Sequence, residues 1–145
     1  STIEHDFTML DKFQGFSAEL LRISLLGIGA IGLGASEIIF PSAPNDSYSL
    51  HFSVKLMLLI SLISFCVSAA SALLHRYTSA DGMSWHIQAM RRYASNVPEE
   101  IDKAKKEALE RHKQYKLSQR AIRTSSFSLL LGTIFLAISI WCTLP

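Results

Sequence analysis

The stretch LMLLISLISFCVSAASALLH, residues 56–75, decides how this chain folds. It contains no Asp, Glu, Lys or Arg. At 1.5 Å per helical residue it is long enough to cross about 30 Å of hydrocarbon. Its polar residues are ordered rather than scattered. Ser61, Ser64, Ser68, Ser71 and His75 stand three or four positions apart, so a helix gathers them on one face. Leu58, Leu59, Leu62, Phe65 and Leu73 are expected on the opposite side.

Two further runs share this character, residues 20–40 and 125–142. Three such runs in 145 residues, with only 18% of the chain charged, leave too little polar surface for a water-soluble bundle. The fold class that follows is an all-α integral membrane protein with three transmembrane helices, an N-terminal amphipathic helix and a cytoplasmic helical segment. The expected divisions are 1–19, 20–75, 76–123 and 124–145. Lys and Arg orient it. The connection 41–51 has neither, whereas 76–123 has eleven, so the basic segment and the N-terminus lie inside and the C-terminus outside. The acidic leader, with Glu4, Asp6, Asp11 and Glu19, does not read as a cleaved secretion signal.

The first span contains Gly27-Ile28-Gly29-Ala30-Ile31-Gly32-Leu33-Gly34. A G-x-G-x-x-G match inside an apolar run lacks the strand and phosphate-facing helix start that dinucleotide binding needs. In a membrane, small residues mean close helix packing. Gly27, Ala30 and Gly34 share one face and Gly29, Gly32 and Ser36 another, which points to contacts on both sides and hence to oligomerisation. Glu37 is the one acid inside a span. It pairs with Lys55 at the outer headgroups, or it forms a ring at an outer pore mouth.

In the basic segment, Ser79-Ala80-Asp81-Gly82 predicts a break, followed by a short helix over 83–94 at the inner headgroup layer. Asn96-Val97-Pro98-Glu99-Glu100 predicts a new helix start, and the absence of Gly or Pro until Gly132 predicts one helix running on into the third span. Ile101, Ala108, Tyr115 and Ile122 form a thin seven-residue stripe along it. Arg91, Arg92, Arg120 and Arg123 are expected to face lipid headgroups. Nucleic acid is disfavoured, because stacking platforms are missing.

No catalytic constellation is present. The serines of residues 61–71 have no base nearby except His75, and no acid in that span orients it. His5, His51, His75, His86 and His112 do not fall at metal-ligand spacings. The expectation is therefore no enzyme, no cofactor and no metal. Two uses of the serine–histidine face stand open: a tight seam between helices, or the wall of an aqueous path built by several copies.

The order of elements resembles that of small membrane effectors of bacterial antiphage systems, the SLATT-like proteins, with a third span beyond their two-span pattern. The resemblance implies membrane disruption or ion conduction once triggered. The leading expectation is a homo-oligomeric pore or ion channel in a bacterial inner membrane, with lipids and a cytoplasmic regulator as partners. The alternative is a non-catalytic structural subunit or assembly factor of a larger membrane complex.

Overall fold

The computed structural model describes residues 2–39, 52–95 and 97–142. Among them the regular elements are three helices: α1 (Thr2–Ile39), α2 (Phe52–Ala94) and α3 (Pro98–Trp141). Each contains a window long and apolar enough to cross a membrane, in α1 within Asp11–Gly34. The prolines and turn residues of 41–51 lie outside the described residues.

α3 starts at Pro98 with Glu99 and Glu100 in its first turn. Proline lacks only an N–H that has no helical partner there, and the acids complement the positive end of the helix dipole. The helix then runs unbroken to Trp141.

The stretch 1–19, expected as an N-terminal amphipathic helix, is described from Thr2 onward as the first part of α1, which continues through Gly15 to Ile39. One expectation is corrected: Asp81-Gly82 does not end a helix, since α2 continues to Ala94. Gly82 is buried, and a Cβ built on it would lie 3.5 Å from the Gln114 Cβ and from the Tyr115 ring. Glycine lowers helix propensity by about 1 kcal/mol, but here it admits α3 at close range, and packing overrides propensity.

Each helix buries residues at seven-residue intervals. In α2 these are Val54, Ser61, Ser68, His75, Gly82 and Ala89; in α3, Ser118, Ser125, Gly132 and Ser139; in α1, Ser17, Ser24 and Ile31. A seven-residue repeat keeps one seam of a helix toward its neighbours. Most of the residues on it are serine, glycine or alanine, so the backbones come close.

The chain divides into two compact units. One comprises residues 1–18 and 71–123. Its interior is mainly small side chains, with Ala72, Ala89, Ala104 and Ala121 buried. Ion pairs decorate its surface, Lys103 with Glu99 and Glu100, Lys105 with Asp102 and Lys113 with Glu110.

The other unit comprises residues 19–70 and 124–145. Its polarity is inverted relative to a water-soluble domain. Ser24, Ser61, Ser68 and Ser125 are fully buried, while Leu26, Leu33, Ile63, Phe127, Leu130 and Trp141 are exposed. Phe65 is the large side chain in this interior, only 1% exposed. Four residues after Ser61, it falls on the serine side of α2 rather than opposite it. Its ring fills the space left by two glycines. A Cβ on Gly27 would lie 2.7 Å from the ring and one on Gly132 3.3 Å from it.

This packing makes Phe65→Ala costly, by about 3–5 kcal/mol as for other buried aromatic truncations. Gly27→Val is expected to destabilise as well, because a flat ring on a packed helix cannot retreat. Thermal melting in mild detergent should show both losses. Melting temperatures equal to wild type would contradict the glycine–ring packing.

Candidate functional site

The site is built from the serine–histidine stripe of α2 and the groups it meets in each unit. In the unit of residues 19–70 and 124–145, one serine from each helix converges. Ser68 donates from its hydroxyl to the Ser125 carbonyl oxygen at 2.9 Å, and Ser125 donates back to the Ser68 carbonyl at 2.8 Å. The two Oγ atoms are 3.1 Å apart. Ser24 of α1 lies 2.8 Å from the Ser68 Oγ and 2.7 Å from its own Leu20 carbonyl. One proton serves one of these acceptors at a time. A consistent set has Ser24 donating to the Ser68 Oγ while Ser68 and Ser125 exchange hydroxyl-to-carbonyl bonds.

Two turns away, Ser61 donates to the Gly132 carbonyl at 2.7 Å, across the gap that the glycine opens. Ser64 turns back to its own helix, donating to Ile60 at 2.8 Å. Such back-bonding satisfies a serine within its own helix. Thus Ser61, Ser64 and Ser68, read from sequence as one face, are covered by α1 and α3 of the same chain. As placed here, they are buried where α2 meets the other two helices. Hydroxyl bonds across helices in lipid average about 0.6 kcal/mol and reach about 1.7 kcal/mol, so the seam specifies register more than it supplies stability.

In the unit of residues 1–18 and 71–123 the stripe continues with Ser71, half-buried, and His75, buried. The His75 Nδ1 lies 2.7 Å from the Ser118 Oγ and 3.0 Å from the Ser118 carbonyl. One tautomer accepts from the hydroxyl, and the other donates to the carbonyl. Either way the buried Nε2 has no partner among the described residues. Thr78, one turn on, donates to the Leu74 carbonyl at 2.9 Å.

The glycines of α1 separate into two groups. Gly27 is used, against Phe65. A Cβ placed on Gly29, Gly32 or Gly34 meets nothing within 4 Å, and Ala30 is exposed beside them. Ser36 and Glu37 belong to α1, but their side chains lie outside the described residues, so neither the outer-mouth assignment nor the pairing with Lys55 is placed.

Of the four arginines expected to face lipid, Arg92 is engaged by two acids of α3. Its Nε donates to Glu107 at 2.7 Å, and its Nη1 donates to Glu100. It therefore joins α2 to α3. Arg91, Arg120 and Arg123 are exposed. Arg111 donates to the His86 Nδ1, a second cross-helix contact in the same unit. The contributions of Ser17, Ser24 and Ser118 were not singled out from sequence. Their signal was the seven-residue spacing to Ile31 in α1 and to Ser125 in α3. Among the described residues no three His, Cys, Asp or Glu side chains are grouped to hold a metal.

No protein-family model, curated protein or solved structure matches this chain.

The Arg92 network makes a pH prediction. The hydrogen bond from Arg92, then that from Lys103, holds the Glu100 carboxyl below the usual carboxylate range. The same bonds raise Arg92, chiefly through Glu100, and raise Lys103, chiefly through Glu99. A depressed carboxylate stabilises the fold above its ordinary value and loses that contribution as pH falls through its folded value. The raised bases contribute fully below their own ordinary values, so an acid titration reads the carboxylate. The melting temperature should fall as pH is lowered from neutral to below 4.5. Glu100→Gln should melt lower at neutral pH and show a flatter slope. Parallel slopes would contradict the pairing.

Proposed function

We propose that this chain is a non-catalytic integral membrane protein that works as a homo-oligomer. The observation that carries the reading is the surplus of glycine on α1. Each interior helical glycine costs about 1 kcal/mol relative to alanine. Gly27 offsets that cost by admitting Phe65, but Gly29, Gly32 and Gly34 admit nothing among the described residues. Small residues facing outward from an apolar helix suit the close approach of another helix. A second copy is the economical partner. The apolar exterior and hydroxylated interior of residues 19–70 and 124–145 support hydrocarbon as the surrounding solvent. The charge asymmetry around the spans supports a cytoplasmic N-terminus and basic segment.

Of the two uses for such an assembly, the packing favours a structural or scaffolding subunit in the conformation seen. Ser61, Ser64 and Ser68 are engaged inside one chain. A second reading, the pore, is favoured by the same hydroxyls: parting α2 from α3 lines the opened seam with groups that suit water. On that reading the present conformation is closed and conduction needs a trigger, as the likeness to antiphage effectors of the bacterial inner membrane implies.

Native mass measurement of the chain purified alone in mild detergent tests the oligomer. Wild type should give a defined multiple of the 16.1 kDa monomer. The double substitution Gly29→Leu and Gly32→Leu should give monomer while retaining the wild-type melting temperature, because no contact among the described residues fills those positions. A monomeric wild type, or an unchanged oligomer in the double variant, would contradict the reading.

A further inference from the structure

We propose that the segment where α2 and α3 meet the inner membrane surface is a binding collar for the headgroups of anionic phospholipids, built from Arg76, Lys116, Arg120 and Arg123. The inference rests on the membrane reading above and adds a ligand to it. Charge is distributed unequally within the unit of residues 1–18 and 71–123. Arg92, Lys103, Lys105 and Lys113 are each neutralised by an acid of α3. Glu110 is the last acid in the chain. Between residues 71 and 80 and between 111 and 123 there are six Lys and Arg residues and no Asp or Glu.

Geometry then selects four of those six. Arg111 is directed to His86 and Lys113 to Glu110. Arg76, Lys116, Arg120 and Arg123 are exposed and have no acid partner among the described residues. On α3, positions 116, 120 and 123 follow the four-and-three spacing of a single helix face. That face is opposite the buried Ser118 and Ala121. The His75–Ser118 contact sets Arg76 of α2 level with Lys116 and Arg120.

The occupant follows from what comes next in α3. Continuing the same spacing beyond Arg123 gives Phe127, Leu130 and Ile134, all exposed. A basic face that becomes apolar within one turn matches the step from headgroup to acyl chain, not the surface of a soluble polyanion site. Tyr77, 73% exposed beside Arg76, has the amphipathic character of an interfacial anchor. Guanidinium groups pair with phosphate oxygens in a bidentate manner, which favours phosphate-bearing anionic lipid over diffuse counterions.

The test uses the full chain in neutral detergent, with phosphatidylglycerol or phosphatidylcholine added, and reads retained lipid by native mass spectrometry and stability by melting. Phosphatidylglycerol should be retained and raise the melting temperature, and phosphatidylcholine should do neither. The triple variant Lys116→Gln, Arg120→Gln, Arg123→Gln should lose retention on the order of a hundredfold, at about fivefold per basic residue. Lys106→Gln, at an exposed base farther from the spans, should keep it. If the triple variant does not fold, Arg120→Gln alone should show a several-fold loss. Equal retention of both lipids, or an equal shift from soluble glycerol phosphate, would overturn the collar. A chain that stays helical and dispersed without detergent would instead overturn the membrane reading.

Discussion

The exchange of hydrogen bonds between Ser68 and Ser125, each hydroxyl donating to the other's backbone carbonyl, constrains much of what surrounds it. A side chain this short reaches a neighbouring backbone only when two helices nearly touch. That distance forces small residues at the equivalent positions along each helix. Ser61 faces Gly132, and Ser24 closes the third side. Phe65 is the exception that completes the pattern, since its ring is accommodated only where both facing residues are glycine. None of these contacts is strong alone. Together they admit one register, because a slip of one residue would drive leucine or phenylalanine into spaces sized for serine.

The same constraint explains why the polar groups are inside. In water, burial of large apolar side chains drives helices together. In hydrocarbon that force is absent between helices, and dense packing with interhelical hydrogen bonds replaces it. The unit of residues 19–70 and 124–145 is organised in the second way, with serines buried and leucines outside. The unit of residues 1–18 and 71–123 uses alanine packing and charge pairing, with Arg92 tying α2 to two acids of α3. In the proposed arrangement the two patterns reflect two solvents.

Much of the fold was legible in the sequence because each feature was local. Charge-free runs marked the three long apolar helices, and Pro98 with Glu99 and Glu100 marked the start of α3. The helix break at Asp81-Gly82 was misread because glycine serves two purposes. It weakens a helix in isolation, yet it permits close packing, and only the tertiary contact with Gln114 and Tyr115 decides between them. The serine stripe was visible, but its partner was not. Spacing along α2 gathers Ser61 and Ser68 on a face without saying whether water, lipid or α3 meets it. Phe65 was placed on the wrong side, although four residues from Ser61 is just over a full turn. Arg92 illustrates the limit for charge: its acids lie 8 and 15 residues away in sequence, across a helical hairpin.

The central claim is that the serine face of α2 is a closed seam within one chain, and thiol accessibility tests it most directly. With Cys66 and Cys142 replaced by alanine, single cysteines at positions 64, 68 and 125 would be exposed to a charged, membrane-impermeant thiol reagent in reconstituted vesicles permeabilised to reach both sides. A cysteine at exposed position 106 serves as the accessible reference. The account predicts that all three seam positions stay unlabelled while position 106 reacts fully. Labelling at 64 and 68 at rates near the reference would contradict it and make that face the wall of a water-filled path.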